Sequence, residues 1–389
     1  MESNSGSSRR DFLKTTAAIA ALGVVAGSPE VFAQDGAQDK SPAKGYAAKS
    51  ADGLLTPWEF QRRALREDDV KIEILYCGVC HSDIHQVRGE WGPTPRPHVP
   101  GHEIAGRVVK VGGAVTRFKV GDHVGVGFVC DSCGTCESCR TGHEQYCERG
   151  QTTFTSGGPD KYLGGITQGG YADYIVTREH FVVKIPASMD LRTAAPLLCA
   201  GVTTYSAQLA DNVSRGTKVG IAGVGGLGHL AIKIAAARGA EVVAFTTSPS
   251  KVDDARRFGA KDVVVVSDGK SLSTYRGSLD VVVSTIPAAY DSSAYLSTVK
   301  PDGHYTQIGI PATGTLPVPV FGLAASRVNF NSHFVGGMKE TQDIVNFCAE
   351  HNIAPEVEVI DIKNVNEAYD KVVAKNVRYR YVIDMKTLA

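Results

Sequence analysis

Residues 218–251 read KVGIA-GVGGLG-HLAIKIAAARGA-EVVAFT-TSPSK, and they decide the fold. An apolar run from Lys218 to Ala222 predicts a buried strand. Gly223, Gly225 and Gly228 follow in G-x-G-x-x-G spacing, with Gly226 among them, and a helical stretch then runs to Arg238. A glycine spacing of this kind carries meaning only between a strand and a helix, which is its context here. The glycines let a pyrophosphate approach a helix N-terminus, where free N–H groups attract anions. The second strand ends in Thr246, Thr247 and Ser248, and Lys251 comes three residues later. An NAD site ordinarily places Asp or Glu there, to hold the ribose 2′-hydroxyl. Hydroxyls and an amine suit a 2′-phosphate instead, so the expected coenzyme is NADP(H).

The rhythm of strand and helix continues past this unit. Strands are expected at 262–266, 279–284 and 304–308, and helices at 251–258 and 293–299. That alternation predicts an α/β domain with a doubly wound parallel sheet over residues 196–335. Residues 51–195 differ. Short strand-like runs at 70–76, 104–111, 123–129, 171–177 and 181–185 are punctuated by glycine, and few helices are signalled, so a compact β-rich domain is expected. After 335, helical stretches at 341–350 and 365–375 accompany strand-like runs at 357–360 and 379–384. Residues 336–389 are expected to return to the first domain.

The 389 residues suffice for two cores. Lys+Arg and Asp+Glu are both 41, so the basic excess of a nucleic-acid surface is missing. Nine cysteines are too few for a disulfide scaffold in a chain this long, and four of them cluster. Cys133, Cys136, Cys139 and Cys147 are spaced C-x2-C-x2-C-x7-C, which suits a closed tetrahedral Zn²⁺ shell, a structural site. Two disulfides would demand a geometry that residues three apart in a tight loop rarely reach.

The N-terminal residues carry a different message. Ser8-Arg9-Arg10-Asp11-Phe12-Leu13-Lys14 precedes a mild apolar run at 15–26 and then Val31-Phe32-Ala33. This resembles a twin-arginine export signal over residues 1–33, which implies the twin-arginine export machinery as a partner and a periplasmic destination. The run is too short and too diluted with Thr and Gly for a stable membrane anchor. Polar residues 34–50 are expected to form a flexible leader.

The stretch 77–103, CGVCHSDIHQVRGEWGPTPRPHVPGHE, supplies a thiol at Cys80, a hydroxyl at Ser82, an imidazole at His85 and the pair His102-Glu103. A catalytic zinc keeps three protein ligands and one exchangeable position. Cys80 and His102 supply two. The third must come from elsewhere, and Cys199 in PLLCAG, at the seam between the domains, is the candidate. A hydroxyl two residues after a ligand and an imidazole three further on could carry a proton outward from a dry cleft. Trp91 with Pro93, Pro95 and Pro97 suggests an apolar wall nearby.

GVCHSDxH, VPGHExxG, the four-cysteine loop and PLLCAGxTTY, in this order, resemble the zinc-dependent medium-chain alcohol dehydrogenases. The nearest branch is similar to the cinnamyl-alcohol-dehydrogenase-like aldehyde reductases. The resemblance spans about residues 55–385 and implies a GroES-like catalytic domain joined to a Rossmann domain. It implies Cys80, His102 and Cys199 as catalytic zinc ligands, Glu103 close behind the metal, and Ser82 and His85 as proton relay. Cys77 is not a ligand in the family. The resemblance also implies Thr203 beside the coenzyme, two zinc ions per chain, a small alcohol or aldehyde as substrate, and a homodimer or homotetramer. A polyol branch would place Glu at the third-ligand position, and zinc-free quinone reductases would lack the four-cysteine loop. The competing reading is an exported NADP- or zinc-binding protein with vestigial turnover on the same scaffold.

Overall fold

The computed structural model describes residues 40–388. The nucleotide-domain sheet has six parallel strands, ordered Asp262–Val265, Glu241–Thr246, Lys218–Ala222, Leu279–Ser284, Val299–Gln307, Asn329–Ser332. Strand order reverses between Lys218–Ala222 and Leu279–Ser284. In an open parallel sheet, that switch point opens the crevice where a dinucleotide binds. Side chains alternate between two cores. Val219, Ile221, Val242 and Ala244 pack on one face, and Val243, Phe245, Val282 and Tyr305 on the other. Burial on both faces explains why these strands read as near-continuous apolar runs.

The catalytic domain is built on a second sheet, ordered Val357–Asp361, Arg380–Asp384, Asp69–Gly78, Ile104–Val111, His123–Val126, Val183–Lys184, with Tyr174–Arg178 also paired to Asp69–Gly78. The C-terminal strand lies antiparallel to Cys77 and Gly78, so the end of the chain pairs into the sheet of the first domain. A third core joins the two domains: Leu197, Leu198, Ala200 and Val202 pack with Leu230, Ile234, Ile344 and Val382. Cys199 lies inside that seam.

Two local expectations are corrected. The polar run 34–50 is not a flexible leader throughout, because Lys40–Ala48 is a strand paired along its whole length with Leu55–Arg63. Its inward side chains are small: Ala43, Gly45 and Ala47 are buried in alternation. A Cβ on Gly45 would stand 2.6 Å from the Tyr171 carbonyl oxygen, so the fold selects residues that read as loop formers. The β-rich domain also holds an eight-residue helix, His81–Arg88, opening immediately after Cys80. The first 39 residues, with the export motif, lie outside the described residues.

Candidate active site

Three segments converge on one point. Cys80 caps the helix His81–Arg88, His102 enters the strand Ile104–Val111, and Cys199 caps the helix Ala200–Ala210. One donor atom each from Cys80, His102, Glu103 and Cys199 lies within 4.8 Å of all the others, and all four residues are buried. The Cys80 and Cys199 sulfurs are 3.9 Å apart. All nine cysteines are free thiols, so no disulfide competes for them.

Asp83, which the sequence reading did not single out, braces the set. One of its oxygens faces His102 Nδ1 at 3.0 Å and accepts the Gly101 N–H at 2.9 Å. The other accepts the Cys80 N–H at 3.0 Å. A single buried carboxylate thus ties both ligand segments together and fixes the His102 tautomer. The far nitrogen, Nε2, is buried without a partner. Gly101 sits at φ 104°, and a Cβ there would come within 2.6 Å of Tyr171, so this turn requires glycine.

Behind the set, Glu103 is ion-paired with Arg380, the second residue that the sequence reading missed. Its other oxygen has no partner. Burial pushes the Glu103 carboxyl up to about 7, and Arg380 pulls the other way. A Cβ on Gly78 would stand 1.9 Å from that free oxygen, so Gly78 makes room for the carboxylate. The hydrogen bond from Cys199 holds the Cys80 thiol well below the usual range, against the opposing effect of burial. Two sulfurs and a lone imidazole nitrogen, braced by carboxylates, fit a zinc ion with one side free.

The polar groups expected to lead outward lie on the helix that follows Cys80. Ser82 Oγ lies 3.6 Å from Cys80 Sγ. His85 is buried, not a surface histidine, with Nδ1 on Glu90 and its ring 4.6 Å from Trp91. Its Nε2 has no partner. Among the described residues no hydrogen bond joins Ser82 to His85 directly. Trp91 covers His85 and donates to the Pro311 carbonyl oxygen at 3.2 Å, which bridges to the nucleotide domain.

The glycine turn has the shape that its spacing suggests. Gly223 has φ 92°, and a Cβ on Gly228 would lie 1.8 Å from the Gly223 carbonyl oxygen. A Cβ on Gly226 would press on Arg380, whereas one on Gly225 would meet nothing within 4 Å. That open space above Gly225 fits an approaching pyrophosphate. Thr203 is buried in the first turns of the helix that follows Cys199. Thr246 is buried, Ser248 half-buried and Thr247 exposed. Lys251 reaches back to the Val224 carbonyl oxygen at 2.8 Å. Burial, then Arg378 and Lys375, lower its pKa. Arg378 is the second cation here, donating to the Ser250 carbonyl oxygen at 3.1 Å and to Ser250 Oγ at 3.0 Å. No carboxylate stands at the end of the second strand, as read from the sequence.

The four-cysteine loop is a separate centre. Cys133, Cys136, Cys139 and Cys147 place their sulfurs within 4.8 Å of one another. The Thr135 and Cys136 N–H groups point at Cys133 Sγ at 3.4 and 3.3 Å. Cys130 and Cys77 stand outside both sets.

Comparison with known families agrees with this geometry. An alcohol dehydrogenase GroES-like domain matches residues 66–187, and a zinc-binding dehydrogenase domain matches residues 226–350. The chain belongs to the zinc-dependent alcohol dehydrogenase family. Within it, the chain is 45% identical over 348 residues to the NADP-dependent alcohol dehydrogenase C 1 of Mycolicibacterium smegmatis, covering 90% of this chain and 99% of that one. It is also 45% identical to the aldehyde reductase YahK of Escherichia coli, covering 89% and 99%. Among solved structures, a cinnamyl alcohol dehydrogenase from Sorghum bicolor superposes with a TM-score of 0.86 at 40% identity, covering 90% of this chain and 99% of that one.

Proposed function

We propose that this chain is an NADP(H)-dependent zinc alcohol dehydrogenase acting as an aldehyde reductase, exported to the periplasm. The observation that carries the reading is the convergence of Cys80, His102 and Cys199 in the seam beside the nucleotide crevice. Cys80, His102 and Cys199 would hold a zinc ion, which would supply Lewis acidity towards a carbonyl. NADP(H), bound at the glycine turn, would supply or accept the hydride. The chain's own residues do the rest. Ser82 passes a proton between the reacting oxygen and His85, and Glu90 at the outer side of His85 receives it towards solvent. Asp83 holds His102 in the tautomer that leaves Nε2 free. Lys251 and Arg378, with Thr246, Thr247 and Ser248, bind the 2′-phosphate, while Thr203 stands beside the nicotinamide or the phosphates. Phe128 next to His102, with Phe154 and Phe334 packed on Phe128, supports an aromatic or medium-chain apolar substrate.

The test is metal-replete protein with an aldehyde panel and each coenzyme. Zinc-dependent oxidation of NADPH is expected. No turnover with bound zinc and nucleotide would instead favour a binding protein, and preference for NADH would overturn the coenzyme assignment.

Export rests on the Arg9-Arg10 motif. A reporter fused to residues 1–39, ending before the first strand, is expected to leave the cytoplasm and to be retained by Arg9→Lys with Arg10→Lys. Export that survives both changes would end this part of the proposal. A homodimer or homotetramer is proposed on exposed Val320 and Phe321 beside the edge strand Asn329–Ser332, with light scattering as its check.

A further inference from the structure

The loop between the third and fourth cysteines does more than close a metal knot. Three of its residues touch one short segment of the chain nearly 200 residues away. Tyr146 Oη accepts the Phe334 N–H at 3.2 Å. Glu144 accepts the Met338 N–H, the first of the helix Met338–Glu350, at 2.9 Å. Gly142 meets Gly337 backbone to backbone: a Cβ on Gly337 would lie 1.6 Å from the Gly142 carbonyl oxygen. Glu144 is 1% exposed, and its second oxygen is 2.6 Å from His180 Nε2, so the carboxylate is itself fixed. It stands at a helix N-terminus, where a negative charge is favoured.

The segment so held is strained. Val335, buried, has φ 44°. A β-branched residue adopts this left-handed conformation only where its surroundings impose it. One residue earlier, Phe334 places its ring edge-on to Phe128 at 5.3 Å, and Phe128 is edge-on to His102 at 4.9 Å. The segment therefore ends one ring away from the imidazole whose Nε2 is free. Phe334 stays partly exposed, so its face is available to a substrate.

We infer that the four-cysteine loop is a tether for the wall of the substrate site. Through Gly142, Glu144 and Tyr146 it sets where Phe334 stands against Phe128, and with it the fit of an apolar aldehyde beside His102. Glu144 and Tyr146 are positioning residues and touch no reacting atom. This inference rests on the reading of the site as an aldehyde reductase.

The experiment compares Tyr146→Phe, Glu144→Ala and Glu144→Gln in the full, metal-replete chain. It measures KM and kcat for cinnamaldehyde and propanal, KM for NADPH, zinc per chain, and hydrogen exchange of the amides at 334–338. Tyr146 is 44% exposed, so Tyr146→Phe is a mild change for folding. Tyr146→Phe and Glu144→Ala are expected to raise KM for cinnamaldehyde about fivefold, the scale of a misfitted apolar contact. The propanal KM, kcat, NADPH KM and zinc content should hold, and the 334–338 amides should exchange faster. Glu144→Gln keeps an acceptor for the Met338 N–H and should restore most of the loss. Unchanged cinnamaldehyde KM in both disruptive variants overturns the tether, as does a loss that falls equally on both aldehydes or follows zinc content. If the unaltered chain turns over no aldehyde, the functional reading falls and exchange alone decides: faster exchange at 334–338 supports the tether, and unaltered exchange overturns it.

Discussion

The two cysteine sets use the same donor chemistry and differ in how the fold supplies it. The loop set takes all four sulfurs from residues 133–147, and its N–H···S contacts come from the same loop. It can close around a metal by itself. The seam set joins Cys80 to Cys199, 119 positions apart, and adds His102 from a third segment. Its braces come from farther still, since Glu103 and Arg380 are separated by 277 positions. Two buried atoms without partners, His102 Nε2 and the free Glu103 oxygen, lie in the seam set. A set assembled from distant segments can leave one side free, and that side is where chemistry happens. A set made by one loop satisfies itself and is suited to holding.

The largest effect should come from breaking the seam set. Cys199→Ala removes one of three donors and is expected to lower kcat/KM by about 10³-fold or more, the several kcal/mol that a Lewis acid contributes. Bound zinc should fall from two ions per chain to one. Cys136→Ser in the loop set should also remove one zinc, but its main cost should be several degrees in Tm. Assays with a small aldehyde, at a temperature where both variants are folded, separate the two. If Cys136→Ser were as slow as Cys199→Ala there, the contrast between a holding site and a reacting site would be wrong.

Asp83→Asn probes the brace. The amide cannot serve both ligand segments as a charged acceptor, and a loss of about 10- to 100-fold in activity or metal affinity is expected. Asp83 bonds only to the Cys80, Gly101 and His102 segments and not to the four-cysteine loop, so the loop zinc should survive dialysis against a chelator that strips the seam zinc of this variant. Equal retention of both ions would show that Asp83 is not what holds His102 in place.

How much of this was legible in the sequence follows from the same contrast. The glycine turn and the four cysteines are local patterns, and both stand in the structure where the spacing put them. Cys80 and His102 were legible as candidates, but Cys199 became a ligand only through the family resemblance, because nothing in PLLCAG alone distinguishes a ligand from a small buried residue. Asp83, Arg380 and Arg378 escaped for one physical reason: each is defined by partners that the fold, not the chain, makes adjacent. The strand Lys40–Ala48 escaped because its inward positions are Ala and Gly, which carry almost no hydrophobic signal.

The coenzyme end allows a sharper test of what the sequence foresaw against what it missed. Lys251 was read from the strand end, whereas Arg378 arrives from the returning tail. Charge-assisted hydrogen bonds to a phosphate predict that Lys251→Ala and Arg378→Ala each raise KM for NADPH by about tenfold. Neither should change KM for NADH, which lacks the 2′-phosphate. A loss shared by both coenzymes would assign these cations to holding the domains together.

The smallest expected effect separates acid lability of the metal sets from that of the fold. His229 is fully buried, donates from Nδ1 to the Gly225 carbonyl oxygen at 3.1 Å and accepts the Glu356 N–H on Nε2 at 3.3 Å. Both bonds suit the neutral ring. Burial and then Lys233 depress its pKa to about 3, and burial depresses that of His98 to about 4. In the unfolded chain each takes up a proton near pH 6.5. Below that value the unfolded state binds protons that the folded state refuses, so the stability these two rings contribute is complete above about pH 6.5 and is lost as pH falls towards 4 and 3. Each ring adds at most one proton to the slope, about 1.4 kcal/mol per pH unit. His229→Gln should therefore remove about one proton from the pH dependence of unfolding between 6.5 and 4, with zinc still bound. If the slope did not change, acid loss of stability in that window would belong to protonation of the cysteine sets and not to the buried rings.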